Sequence, residues 1–202
     1  GALGVFAPPA RARELLDRIR TSDTRRMAEM CRRVSAAFAD AGVAITLDDA
    51  DVVAMIVDRH GCPPDSVTIQ ERHIAMAFQQ RLFETVPRPA DRRDVLARIA
   101  GAAPEAETAD DPVAVQGFLR SRLMKAGRPA FVDEAFLSLD EAQELVLSLG
   151  AIPCYPTLAD GTDPICGYED PVDRLLEQLR DQNIHMAEFI PPRNSPAVLG
   201  DY

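Results

Sequence analysis

The sequence predicts an α+β or α/β chain, mainly helical, that carries a partial parallel β/α unit. Three observations predict it. Apolar residues between positions 10 and 126 recur mostly at three- and four-residue steps, the spacing of amphipathic helices. The segment 137–194 instead reads as a helix, a short apolar strand ending in Pro-rich loop, a second helix, and a second strand ending the same way. Two successive helix-to-strand units build a parallel sheet or barrel, where residues just past the carboxyl ends of the strands carry the chemistry.

Each element has its own signal. After Pro8-Pro9, a helix is expected over 10–41, with Leu15, Leu16, Ile19, Met27, Met30, Cys31, Val34 and Phe38 on one stripe and Gly42 as its stop. Thr21-Ser22-Asp23 offers a break or cap inside it. Leu47-Asp48-Asp49 opens a helix that runs through Arg59 and ends at Gly61. Thr68 and Glu71 have the spacing of a capping box, so the next helix is expected to start there and reach Val86. Another follows Pro87 and Pro89, near 90–100. Gly101–Asp111 is acidic and holds no large apolar side chain, which makes it the best linker in the chain and divides it into 1–110 and 111–202. Pro112 opens a helix expected to reach Ala126, and 128–136 is expected to be extended. Ser138 and Glu141 form a second capping box, with Gly150 ending that helix. Residues 151–155 read as a strand, Asp170-Pro171 as the start of a helix with stripe Val172, Leu175, Leu176 and Leu179, and 184–190 as the second strand.

Composition narrows the function. The 202 residues are 47% hydrophobic and 27% charged, an ordinary globular balance. A formal charge of −10 argues against general nucleic-acid binding, which needs a basic face. Arginines 11, 13, 18, 20, 25, 26, 32 and 33 do cluster in the first helix, but Glu14, Asp17, Asp23 and Glu29 interleave with them, so a solvated face laced with ion pairs is favoured. No apolar run approaches the roughly 20 residues of a membrane span, and the start of the sequence does not read as a secretory signal, so a cytoplasmic chain is expected. Cys31, Cys62, Cys154 and Cys166 form no CxxC pair and are expected to be free thiols.

The candidate substrate-binding residues lie at the two strand ends: Tyr155, Asp160, Glu188, Arg193 and Asn194. Glu188 sits among apolar residues, where a buried carboxylate needs an ion partner, a hydrogen bond or a metal. Tyr155 can hydrogen-bond a phosphate or simply pack at the mouth of a barrel. Arg193 presents a planar fork suited to phosphate or carboxylate, though loop arginines are usually solvated. Asp160 is read first as a turn former. His73 and His185 are expected to be structural, and Cys154 to pack in the core, because no histidine stands near it to activate a thiolate.

Two segments carry a resemblance. Val67, Thr68, Arg72 and His73 precede and open one helix, and Gly127, Pro129, Ala130, Phe131 and Val132 lead into the last two helix-to-strand units. Together they resemble the PHP family of metal-dependent phosphoesterases, which includes histidinol phosphatase and the exonuclease-like domain of bacterial replicative polymerases. The similar members are small nucleotide phosphoesterases with a helical insertion in the barrel. The resemblance spans roughly residues 21–194 and implies a fragment of a distorted seven-stranded β/α barrel around divalent metals (Mn, Zn or Mg), acting on a phosphorylated small molecule.

The departures from that pattern are specific. No His-x-His opening motif occurs, Cys154-Tyr155-Pro156 stands where the family has Ala-His-Pro, and Asn194 stands where its second strand end has histidine. Small closed barrels need about eight strands, and only two are convincing here. The expectation is therefore the helical insertion and pocket wall of a longer phosphoesterase, with metal ligands from elsewhere and no metal in this chain alone. The alternative is a non-catalytic binding or protein-interaction module; a homo-oligomer is left open.

Overall fold

The computed structural model describes residues 8–105, 107–158, 167, 169–189 and 200. Among these are seven α-helices and a single two-stranded sheet, so the chain is mainly helical. Its contacts divide it into two compact units, Arg18–Phe136 and Gly1–Asp17 with Leu137–Tyr202. The linker at 101–111 had instead suggested a division after residue 110.

The unit Arg18–Phe136 is a helical bundle built on most of α1 (Ala10–Asp40), with α2 (Asp49–His60), α3 (Glu71–Thr85), α4 (Pro89–Ala100) and α5 (Pro112–Leu119). Helix α1 is 31 residues long and does not break at Thr21-Ser22-Asp23. The next hydroxyl, of Thr24, donates back to the Arg20 carbonyl at 2.9 Å, so this polar turn is satisfied within the helix. The helix closes with two overlapping bonds, Val43 N–H to Phe38 O at 3.0 Å and Gly42 N–H to Ala39 O at 2.9 Å. That Schellman closure needs a left-handed residue, and Gly42 supplies it at φ 76°.

Met27, Met30, Cys31, Val34 and Phe38 of α1 are buried against Ile74, Phe78 and Leu82 of α3 and residues of α2 and α5. The Phe38 and Phe78 rings stack at 5.4 Å, a contact worth about 0.5–1.5 kcal/mol beyond the area it buries. Helix α2 starts on a reciprocal box in which Asp48 and Asp51 each accept the other's backbone N–H, at 2.8 and 3.0 Å.

Three expectations are corrected here. The box at the head of α3 is not Thr68 with Glu71; the helix starts at Glu71, and the His73 Nδ1 accepts the Gln70 N–H at 3.0 Å. Residues after Leu119 do not continue as α-helix but widen into a π-turn, Arg120–Met124. The segment 101–111 is also not a free linker. Arg92 of α4, only 4% exposed, donates to the carbonyls of Ala109 (2.8 Å), Val86 (3.1 Å) and Pro87 (2.6 Å) and lies over the Phe83 ring. A buried arginine whose donors meet main-chain carbonyls fastens that segment to α4.

The second unit holds the start of α1, α6 (Leu139–Ser148) and α7 (Val172–Asp181). Ala12 and Leu15 pack against Leu145, and Arg11 donates to Glu144 at 3.2 Å. The Ser138–Glu141 capping box is present as expected, with bonds of 3.0 and 3.2 Å. Helix α7 begins one residue later than its Pro signal suggested, with Pro171 at the N-cap and no side-chain cap. Its Leu175 and Leu179 bury against Ile184.

The strands β1 (Tyr155–Pro156) and β2 (Ala187–Glu188) pair in parallel, with Tyr155 opposite Ala187 and Pro156 opposite Glu188. They are far shorter than the expected strands at 151–155 and 184–190. Pro153, whose amide position faces β2 as that of Tyr155 does, has no N–H to donate, and Ile152 is left 66% exposed, so pairing does not extend back from Tyr155.

Candidate functional site

The strand ends form one candidate site. Tyr155 leaves the sheet half-buried and donates its hydroxyl to Glu169 Oε1 at 3.1 Å, while the Leu158 N–H donates to the same oxygen at 2.8 Å. Glu169 is fully buried. Thr157, 3% exposed, donates its hydroxyl to the Glu188 carbonyl. The buried carboxylate expected at Glu188 is thus found at Glu169, and its hydrogen bonds are what permit that burial.

Glu188 itself is exposed on β2. Because it pairs with Pro156 and not with Tyr155, Glu188 and Tyr155 lie one register position apart and face opposite sides of the sheet. The structure therefore brings Tyr155 together with Glu169, and does not bring its ring to the Glu188 carboxylate. Asp160, Arg193 and Asn194 lie outside the described residues. His185 and Cys154 are both exposed, correcting the expectation that each would be packed in the core. Cys31, Cys62 and Cys154 are free thiols; Cys166 is outside the described residues.

A second candidate lies in the helical unit, in a cleft of about 340 Å³ at the head of α3. Six charged residues line it: Asp23, Arg26, Glu71, Arg72, Arg120 and Glu134. Glu71, the first residue of α3, is the hub. It accepts from Arg26 at 3.2 Å and from Lys125 at 3.0 Å, and Arg120 stands 3.9 Å away. An acid at a helix N-terminus is also favoured by the helix dipole. Arg26 additionally donates to the Val132 carbonyl at 3.1 Å, tying the 127–134 loop to α1. Arg33 does the same to the Phe131 carbonyl.

Arg26 is therefore not part of a solvated face; Arg32 and Glu29 do form an expected exposed pair at 2.7 Å, while Arg33, which shares that carboxylate at 2.7 Å, is part-buried. His73 belongs to the framework of this cleft. Burial first, then Arg72 and His60, lowers its pKa, which suits an imidazole that accepts a backbone N–H. The sequence reading missed Glu71, Arg120 and Glu169 as site residues. Their partners are 45, 49 and 14 positions away, and no local pattern marks them.

Among the described residues no three His, Cys, Asp or Glu side chains gather to hold a metal ion. No helix among them is long and apolar enough to cross a membrane. No family model, no curated protein and no solved structure matches this chain.

Proposed function

We propose that this chain supplies the helical insertion and one wall of a pocket for a phosphate-ester ligand of the kind handled by PHP-like phosphoesterases. On its own, it binds such a ligand without hydrolysing it. The observation that carries this reading is the parallel pairing of β1 and β2 across α7. A helix that joins two parallel strands is the unit from which β/α barrels are assembled, and ligands of such folds sit past the strands' carboxyl ends. The Tyr155 hydroxyl, bonded to buried Glu169, and the Thr157 hydroxyl, bonded to the Glu188 carbonyl, hold that end of the strands in shape.

Hydrolysis in the PHP family relies on metal-bound hydroxide, and the strand-end ligand positions here hold Tyr155 and Asn194 instead of histidine. The test is calorimetric titration of the chain with AMP, beside a release assay on AMP and p-nitrophenyl phosphate in manganese. Saturable AMP binding, weakened in Tyr155→Phe and without phosphate release, is the expected result. Metal-dependent release by this polypeptide would overturn the non-catalytic part, and absence of AMP binding would overturn the whole reading.

A further inference from the structure

We infer that the cleft at the head of α3 is a binding site for a small zwitterion, an aliphatic α-amino acid being the fitting class. The inference rests on the helical unit alone and is independent of the strand ends.

The cleft has an unused donor. Arg120 Nε is buried and has no hydrogen-bond partner, the one side-chain atom in that state among the described residues. A guanidinium N–H held away from water without an acceptor is costly, and such groups in native proteins mark a missing water, ion or ligand. Glu71 does not answer it, since that carboxylate is taken up by Arg26 and Lys125 and reaches only Arg120 Nη2, at 3.9 Å. The π-turn that begins at Arg120 sets where this side chain leaves the backbone, and such turns recur at functional sites.

The cleft also has underused acceptors. Asp23 and Glu134 both look to Arg26 Nη1, each at 3.6 Å, which is an ionic contact too long for a hydrogen bond. Water reaches Asp23 and Glu134, whose side chains are 32% and 48% exposed, so among the described residues the buried Arg120 Nε is the one unmet group, and a ligand that brings an acceptor to it can also give the two carboxylates a donor. Three guanidiniums and three carboxylates line the cleft, so its formal charge is zero. A phosphate dianion would meet Arg120 but would also face three carboxylates, whereas a zwitterion adds no net charge. Met27 and Ile69, both buried, form the apolar part of the lining, which suits an aliphatic side chain. The volume of about 340 Å³ is that of a small-molecule site.

In this arrangement the ligand carboxylate accepts from Arg120 Nε, with Arg72 beside it, and its ammonium donates to Asp23 and Glu134. The test is an NMR titration that follows the Arg120 Nε–H signal, identified by its loss in Arg120→Met. L-leucine is the probe, beside 4-methylpentanoate (no ammonium), isopentylamine (no carboxylate) and inorganic phosphate. Leucine is expected to shift the Nε–H signal saturably, with both truncated analogues weaker by at least about tenfold. Arg120→Met should abolish the response, and Glu134→Gln should weaken leucine while leaving 4-methylpentanoate unchanged, with far-UV circular dichroism showing that both variants fold.

No shift with leucine overturns the proposal and leaves the Nε–H to a water. Equal binding of 4-methylpentanoate, or phosphate binding as tight as leucine, overturns the zwitterion and makes the cleft a general anion site. AMP binding lost only in Tyr155→Phe would bear on the strand ends and not on this cleft.

Discussion

Replacing Arg92 by methionine should loosen the 101–111 segment at its Ala109 end, leaving the bond from Arg93 to the Pro104 carbonyl in place. The guanidinium meets three main-chain carbonyls, of Val86, Pro87 and Ala109, and stacks at 4.0 Å over Phe83. Methionine keeps the aliphatic stem and the packing, so the loss is polar. Carbonyls left without a donor cost about 1 kcal/mol each, and the ring contact adds about 0.5–1 kcal/mol. The sum is about 3.5–4 kcal/mol, which in a chain of this size lowers the melting temperature by roughly 7–16 °C.

The ion pair with Asp110 contributes little to that sum. Its carboxylate side chain is 74% exposed, so Asp110→Asn should cost less than about 1 kcal/mol. The assay is denaturant unfolding followed by circular dichroism, beside limited digestion with a Glu-specific protease that cuts at Glu105 and Glu107. Arg92→Met should be destabilised and should be cut there faster than wild type. A loss below about 1 kcal/mol with unchanged cleavage would refute the idea that Arg92 fastens this segment.

Two further outcomes are expected. Burial, and then the carboxylates Asp49, Asp48 and Asp51, push the Cys31 thiol up to about 12. In native protein at mildly alkaline pH, iodoacetamide should therefore label exposed Cys154 and spare Cys31, as read by peptide mass mapping; rapid labelling of Cys31 would show that the α1 core opens. Arg32, and then Arg33, hold Glu29 down at about 2. A depressed carboxylate stabilises the fold above its ordinary value of 4.5 and loses that contribution as pH falls toward 2. The melting-temperature gap between wild type and Glu29→Gln should accordingly be positive at neutral pH, shrink through that acidic window, and narrow in high salt because the pair is solvated. A gap that is constant with pH would exclude the ion pairs as its source.

The helices were legible because their ends are written locally. Asp48 with Asp51, Ser138 with Glu141, and the glycines after α1 and α2 are short-range signals that act within one turn. Thr68 with Glu71 had the same spacing and failed, because Gln70 and His73 satisfy that turn instead and Glu71 is drawn to Arg26 and Lys125. The strands were legible in direction and not in length. Alternating apolar residues say that a segment can be extended, but a ladder exists only where a partner supplies the opposite groups, and prolines removed part of that supply. The polar centres were least legible. Arg92, Glu71, Arg120 and Glu169 matter through partners that folding brings near, and the sequence around each reads as ordinary surface.

Pro156 gives the small sheet a direction of growth. The N–H groups of Tyr155 and Thr157 point to β2, so the amide position between them points outward, and proline leaves it without a hydrogen. A stack of strands, such as a fibril, needs two receptive flanks on every member. This ladder has one donor fewer on the β1 flank, so a strand adds there less readily than beside β2, and propagation from both flanks is disfavoured.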